Sequence, residues 1–211
     1  MDIAVFKKKP ILGILRGIGA DLIEPLVETV ISAGLATLEI TMNTPGAAEL
    51  IRKAKQAGGK RLTLGAGTVL SQQDLKLALG SGASFIVLPV LVRDLVEYCV
   101  KNKIPVFPGA LTPQEIYQAH VLGATMVKVF PAKFFGPEYF REVKGPFDKI
   151  ELLACGGVTA ENLKDYFTSG ASAVTFGASI FRKDWLAAKD FKTIGRAVKG
   201  FIAAWEKIAR V

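Results

Sequence analysis

Short apolar runs alternate with amphipathic segments along most of the chain, and this alternation restricts the possible folds more than any other feature. Each run together with the segment that follows it occupies about 25 residues, which is typical of βα units on a parallel sheet. The predicted strands span residues 11–15, 37–41, 61–64, 84–88, 106–107, 126–130, 151–154 and 173–176. This repetition predicts a single-domain α/β fold, a (β/α)8 TIM barrel with a short N-terminal helical segment. An open doubly wound sheet is the alternative, because strand order cannot be read from one sequence.

Residues that start and stop helices support the segments between the strands. The predicted helices span residues 22–33, 47–57, 72–80, 94–102, 113–122, 137–143, 161–169 and 190–210. Ser71 and Thr112 stand where N-caps are expected, and Pro113 follows Thr112 at the first helical position. Glycines are expected to end helices at Gly34, Gly58, Gly82, Gly123 and Gly170.

The length of 211 residues fits one barrel domain covering residues 1–211. No apolar run reaches the roughly 18 residues of a membrane span, and the first residues do not form a signal peptide. We therefore expect a cytoplasmic protein with no membrane partner. Cys99 and Cys155 lie far apart in apolar contexts, which predicts reduced thiols and no zinc site.

Charge and histidine content narrow the range of partners. His120 is the one histidine, so a His-rich metal site is not expected, and we interpret His120 as structural or exposed. The net charge of +8 raises the possibility of nucleic-acid binding, but the basic residues never form a long run with interleaved aromatics. A positive field suits an anionic small molecule equally well, so we expect such a substrate, no nucleic acid and no metal or other cofactor.

Lys128 is the first candidate for chemistry, because it interrupts the apolar run Ala124-Thr125-Met126-Val127-Lys128-Val129-Phe130-Pro131. Burial of an ammonium group is unfavourable, so such a lysine is expected to have a lowered pKa and to act as a nucleophile or a base. Two simpler interpretations remain: the side chain reaches solvent at the strand end, or it forms a buried ion pair.

Polar residues near the C-terminal ends of the strands mark the expected site, because barrel active sites lie at that end. They include Arg16, Glu39, Thr68 and Lys128. In the run 37–41, Glu39 shares one face with the threonines and should point into the barrel. Glycine-containing turns follow the last two strands, at Gly156-Gly157 and at Gly177-Ala178-Ser179. Such turns bind phosphate through backbone amides and hydroxyls.

Together these residues resemble the 2-keto-3-deoxy-6-phosphogluconate (KDPG) aldolase family. The motifs that match in order and spacing are Leu38-Glu39-Ile40-Thr41, Gly65-Ala66-Gly67-Thr68-Val69, Val127-Lys128-Val129-Phe130-Pro131-Ala132, Gly145-Pro146-Phe147, Gly156-Gly157-Val158 and Gly177-Ala178-Ser179. Ile14-Leu15-Arg16-Gly17-Ile18 also resembles the sister 2-keto-3-deoxy-6-phosphogalactonate (KDPGal) aldolases. The stereochemistry of the sugar acid therefore stays open.

The resemblance implies a metal-independent class I aldolase, a homotrimer, that splits KDPG into pyruvate and glyceraldehyde 3-phosphate. It implies that Lys128 forms the Schiff base and that Glu39 is the general acid and base. Thr68 and Arg16 would hold the substrate carboxylate. The set Gly156, Gly157, Gly177 and Ser179 would hold the phosphate.

The chain departs from the family pattern at a few positions near the expected site. Asn43 stands where many members have an arginine. Arg16, on the neighbouring strand, is expected to take the place of that arginine. Leu88 and Val90 flank Pro89 where Ser-Pro or Thr-Pro is usual, and Cys155 replaces a threonine. The alternatives are therefore a KDPGal aldolase, a 4-hydroxy-2-oxoglutarate (KHG) aldolase, or a barrel that binds a phosphometabolite or a nucleic acid without catalysis.

Overall fold

Parallel strands form a single sheet in the computed structural model, which describes residues 1–209. The strands in chain order are β1 Ile11–Leu15, β2 Thr37–Thr41, β3 Thr63–Gly67, β4 Ile86–Val87, β5 Val106–Phe107, β6 Gly109–Ala110, β7 Val127–Val129, β8 Leu152–Ala154 and β9 Ala173–Phe176. Their order in the sheet is β5-β4-β3-β2-β1-β9-β8-β7-β6. The two outermost strands, β5 and β6, are therefore neighbours in sequence.

The sheet closes on itself through the segment that contains β5 and β6. On one side, Leu88 N donates to Phe107 O at 3.1 Å. On the other side, Lys128 N donates to Pro108 O at 2.8 Å and Phe130 N donates to Ala110 O at 3.1 Å. The prediction of a (β/α)8 barrel is confirmed, with its fifth strand divided at Pro108. The open doubly wound sheet is excluded, because an open sheet would have two separate edges.

Several predicted strand limits were wrong. Residues 59–61 form a 3₁₀ helix, and β3 begins later, at Thr63. The predicted strand 84–88 shortens to Ile86–Val87, and 126–130 shortens to Val127–Val129. Apolar composition marks a buried run, whereas the limits of a strand depend on hydrogen bonds to its neighbours, which the sequence does not display.

Helices connect most of the successive strands and cover the outside of the barrel. They are α1 Ile3–Lys7, α2 Ile23–Ser32, α3 Ala47–Gly58, α4 Gln72–Gly80, α5 Arg93–Lys101, α6 Pro113–Val121, α7 Gly136–Lys144, α8 Leu163–Thr168, α9 Lys183–Ala187 and α10 Phe191–Ala209. The short helix α9 was not predicted. Arg210, the predicted end of the last helix, and the final position of the predicted domain 1–211 lie outside the described residues.

The helix-end predictions are mostly confirmed. The Ser71 hydroxyl accepts from Asp74 N, and Thr112 forms a capping box with Glu115. Gly34, Gly82, Gly123 and Gly170 all have positive φ just after a helix. Gly58 is the exception: it is the last residue of α3, and Gly59, with φ 54°, ends the helix instead.

Two apolar layers hold the barrel together. The larger layer lies between the sheet and the helices and includes Leu38 and Ile40. The smaller one fills the barrel interior and contains Leu12, Phe85, Val87, Phe107, Met126, Leu153 and Ala173, together with Phe6 from α1. Phe6 therefore closes the N-terminal end of the barrel, and the interior positions at the opposite end are left for polar side chains. No helix among residues 1–209 has the length and apolar character of a bilayer span.

Candidate active site

Lys128 lies at the centre of β7 and points into the barrel. Only 4% of the residue is exposed, and Nζ is 5.3 Å from the centre of the Phe130 ring. Its neighbours Val127 and Val129 face the helices, as strand alternation requires. This burial excludes the interpretation in which Lys128 is an ordinary solvent-facing lysine.

Glu39 is the second buried charged residue of the interior, at 1% exposure on β2. Its Oε2 atom has no hydrogen-bond partner among residues 1–209. Burial raises the pKa of Glu39 above its ordinary value of 4.5, and the nearby Lys128 and Arg16 charges oppose this rise. Glu39 and Lys128 do not approach within the 4.0 Å of an ion pair, so the buried ion pair considered for Lys128 does not form between them.

Arg16 and Thr68 meet at the mouth of the barrel. Arg16 follows β1 and Thr68 follows β3, and Arg16 Nη2 lies 3.4 Å from Thr68 Oγ1. Thr68 has a φ of 56°, a left-handed conformation that is uncommon for threonine. Such strained residues concentrate at binding sites, where the surrounding structure holds them in place.

A cavity of about 480 Å³ extends from Lys128 toward the last two strand ends. Its lining includes six of the predicted site residues: Arg16, Lys128, Gly156, Gly157, Gly177 and Ser179. Glu39 and Thr68 are not part of the lining. Thr68 contacts Arg16, which does line the cavity. Glu39 lies close enough to Lys128 and Arg16 for both positive charges to lower its pKa against the effect of burial.

The two glycine turns present main-chain amides to this cavity. Gly156 and Gly157 have φ values of 96° and 80°, and a Cβ on Gly157 would lie 2.4 Å from Lys133 Cβ. The Asn162 side chain fixes this turn by donating to Gly157 O and accepting from Thr159 N. Within residues 1–209, no main-chain oxygen accepts a hydrogen bond from the amides of Gly157, Ala178 or Ser179. Free amides on a left-handed turn suit an anion.

The predicted site did not include every residue that lines the cavity, and Lys133, Ile14 and Thr175 are among those it missed. Lys133 follows β7, its aliphatic stem packs against Gly157, and its Nζ lies 4.9 Å from the centre of the Phe134 ring. Ile14, after Leu12 on β1, also lines the cavity. Thr175 on β9 is 2% exposed and also lines the cavity. The alternation that identified Glu39 would have identified Thr175, since Val174 and Phe176 face the helices. Nothing in the sequence around Lys133 indicated its contact with Gly157.

The departures from the family pattern lie in different surroundings. Cys155 is buried at 3% exposure and lines the cavity. Leu88 packs in the layer between the sheet and the helices and does not line the cavity. Asn43 is exposed, and Arg16 reaches the cavity instead. Cys99 and Cys155 are free thiols, as predicted.

Positive charge dominates the lining, through Arg16, Lys128 and Lys133, and no acidic residue in the described range 1–209 contributes to it. His120 is exposed on α6, away from this cavity. Residues 1–209 contain no group of three or more His, Cys, Asp or Glu side chains arranged to hold a metal ion. The cavity therefore favours a small anion that can react with an amine.

Comparisons with known proteins agree with this geometry. The family model of the KDPG and KHG aldolases matches residues 3–197. The chain is 32% identical over 202 residues to the 2-dehydro-3-deoxy-6-phosphogalactonate aldolase of Escherichia coli K12, covering 95% of this chain and 96% of the relative. It is 32% identical over 184 residues to the 2-dehydro-3-deoxy-phosphogluconate aldolase of Haemophilus influenzae, covering 87% and 86%. A solved structure described as native KDPGal superposes with a TM-score of 0.90 at 30% identity, covering 97% and 98%.

Proposed function

Because the chain belongs to the KDPG and KHG aldolase family, we propose that it is a class I aldolase that cleaves KDPG to pyruvate and glyceraldehyde 3-phosphate. One observation carries the proposal: a buried lysine lies at the inner end of a cavity whose outer end carries free glycine-turn amides. A 2-keto acid that also carries a phosphate has a carbonyl for the first feature and an anion for the second.

The reaction begins when the Lys128 amine adds to C2 of the substrate. The resulting carbinolamine loses water and becomes a protonated imine. A base removes the C4 hydroxyl proton, the C3–C4 bond breaks, and its electron pair moves into the imine to form an enamine while the aldehyde leaves. The enamine then takes a proton at C3, and water releases pyruvate and the free amine.

Glu39 is the group that exchanges these protons. Its raised pKa keeps a proton available for the loss of water from the carbinolamine, and the nearby Lys128 and Arg16 charges stabilise the carboxylate once that proton has left. Because burial raises the pKa of Glu39, its carboxylate is a stronger base than an exposed one and can take up a proton as well as give one.

The remaining site residues orient the substrate. Arg16 and Thr68, in contact at the barrel mouth, hold the substrate carboxylate. Gly156, Gly157, Gly177 and Ser179 hold the phosphate, and Lys133 adds a positive charge beside it. The substrate therefore lies with its carbonyl at Lys128 and its phosphate at the outer turns.

KDPGal is the second candidate substrate. The Leu15-Arg16-Gly17 turn of this chain and its similarity to the E. coli KDPGal aldolase favour it. KHG, which carries no phosphate, is a third. The ratios of kcat/KM for KDPG, KDPGal and KHG distinguish them. A preference for KHG would contradict the phosphate assignment.

The imine is tested by borohydride reduction in the presence of pyruvate, followed by intact-mass analysis and peptide mapping. We expect one pyruvate-derived adduct, on the peptide that contains Lys128. Lys128→Met, which removes the amine without leaving a buried charge, should give no adduct and no aldol cleavage. The exposed Lys101→Met variant on α5 is the matched control. Absence of an adduct in the unaltered chain would favour a barrel that binds a phosphometabolite without catalysis.

A homotrimer completes the proposal. Large apolar side chains lie exposed on the outside, including Phe134 at 71%, Val121 at 64% and Phe135 at 54%. Exposed apolar surface of this kind is commonly covered by another subunit. Light scattering coupled to size exclusion should give three times the 22.6 kDa chain mass; a monomer mass would contradict the assignment.

A further inference from the structure

Thr175 presents an unused polar group to the cavity. It lies on β9 with 2% of its surface exposed, and it lines the cavity together with Lys128. Among residues 1–209 its hydroxyl takes part in no side-chain hydrogen bond, yet it is not among the enclosed side-chain atoms that lack a partner, of which Glu39 Oε2 is the one described case, so the hydroxyl reaches the surface of the cavity. Buried hydroxyls are normally paired, so this one is available to a bound molecule.

The position of Thr175 along β9 decides which part of a substrate it meets. Gly177 comes two residues after Thr175, just beyond the end of β9, and belongs to the proposed phosphate turns. Successive residues on one face of a strand are about 7 Å apart. The Thr175 hydroxyl therefore lies about 7 Å deeper in the barrel than the proposed phosphate turn at Gly177, between that turn and Lys128.

The neighbouring strand supplies no equivalent group. The β8–β9 register pairs Leu153 with Ala173 and Ala154 with Val174, so Cys155 comes next to Thr175 on the same inner face. A thiol is a weak hydrogen-bond donor and acceptor. On this wall of the cavity, Thr175 is thus the side chain able to bind a hydroxyl strongly.

We infer that Thr175 is a specificity residue whose hydroxyl binds the substrate hydroxyl on the carbon next to the phosphate-bearing carbon. This inference rests on the proposed function and narrows it. The acceptor aldehyde is then a phosphorylated 2-hydroxyaldehyde, and an aldehyde without the 2-hydroxyl leaves Thr175 buried and unpaired. Loss of one partner of a buried hydrogen bond lowers binding by roughly 5- to 100-fold.

The test uses the condensation direction, with pyruvate and either glyceraldehyde 3-phosphate or its analogue without the 2-hydroxyl, 3-oxopropyl phosphate. For the unaltered protein we expect kcat/KM to be about tenfold higher for the hydroxylated acceptor. Thr175→Val keeps the side-chain shape and should lower kcat/KM for glyceraldehyde 3-phosphate about tenfold, mainly through KM, while the value for the analogue stays the same. Thr175→Ser should restore the preference.

Thr37→Val is the matched control. Thr37 is also a buried threonine, at 5% exposure on β2, but it does not line the cavity. Its substitution should leave both acceptors unaffected. Equal losses on both acceptors in Thr175→Val, or no loss on either, would overturn the inference.

Borohydride trapping of pyruvate separates this result from a failure of the proposed function. Thr175→Val should form the Lys128 adduct with pyruvate to the same extent as the unaltered protein, because pyruvate carries neither the hydroxyl nor the phosphate. An adduct together with an unchanged acceptor preference would refute only the role of Thr175. No adduct in the unaltered protein would refute the aldolase itself, and the role of Thr175 with it.

Discussion

The carboxylate of Glu39 occupies the space in which a side chain at position 67 would lie. A Cβ built on Gly67 would be 2.2 Å from Glu39 Oε1, closer than any real contact allows. The two residues are on adjacent parallel strands, with Glu39 paired to Gly65 in the β2–β3 register and Gly67 one interior position further on. Gly67 is therefore needed because the acid on the next strand fills its place.

Gly67→Ala should displace the Glu39 carboxylate or push the two strands apart. We expect kcat to fall at least tenfold and the free energy of unfolding to fall by about 1–3 kcal/mol, the usual range for overpacking. Steady-state kinetics and denaturant unfolding measure the two effects. Gly200→Ala on α10, where no atom of residues 1–209 lies within 4 Å of the added carbon, should instead be neutral or stabilising. An unaltered kcat in Gly67→Ala would contradict the role of Glu39.

Glu39→Gln should lower kcat by about 100-fold or more, because an amide cannot exchange the proton that the proposed mechanism assigns to this carboxyl. Imine formation with pyruvate should also slow, since loss of water from the carbinolamine needs an acid. Rapid-quench borohydride trapping measures that rate. Trapping and cleavage at the unaltered rate would remove Glu39 from the mechanism.

Stability should depend on pH through Glu39 with a defined sign. Its pKa is raised above 4.5 by burial, so its contribution to stability is complete below pH 4.5 and is lost as the pH rises through the folded-state value. As the pH rises from 4.5, the Tm of the unaltered protein should therefore fall relative to the Tm of Glu39→Gln. A difference in Tm that is independent of pH would contradict the raised pKa.

Glu115→Gln provides the opposite sign. Hydrogen bonds from the main-chain amides of Leu111 and Thr112 lower the pKa of Glu115 below 4.5. Its contribution to stability is present above pH 4.5 and is lost as the pH falls through the folded-state value. Glu115→Gln should therefore be less stable than the unaltered protein near neutral pH, and the difference should shrink in acid. Thermal unfolding from pH 3 to 7 checks both variants in one series.

Ser179→Ala should raise KM for a phosphorylated substrate severalfold, as expected for the loss of one hydrogen bond to a charged group. Cleavage of an unphosphorylated substrate such as KHG should be unaffected, so the ratio of the two kcat/KM values changes. The exposed Ser71 caps α4 away from the cavity, and Ser71→Ala is the control for loss of a serine hydroxyl. An unchanged ratio in Ser179→Ala would remove the phosphate role from this residue.

Local sequence patterns were sufficient for the element types and for several site residues. The alternation in the run 37–41 identified the inward face of β2, because side chains alternate across any strand regardless of its partners. Lys128 was identified from a different local pattern, because a charged side chain interrupts an otherwise apolar run there. Thr175 obeys the same alternation, but a threonine in a strand is too common to attract attention without the cavity beside it.

The sequence by itself determined the repeated βα unit, the outer and inner faces of the strands, and the family motifs that surround Lys128 and Glu39. All of these depend on residues close together in the chain. The tertiary structure alone decided the closure of the barrel at Pro108, the clash that requires Gly67, the unpaired oxygen of Glu39 and the contact of Lys133 with Gly157. Each of these depends on which distant segments become neighbours, and the packing of the whole barrel sets that.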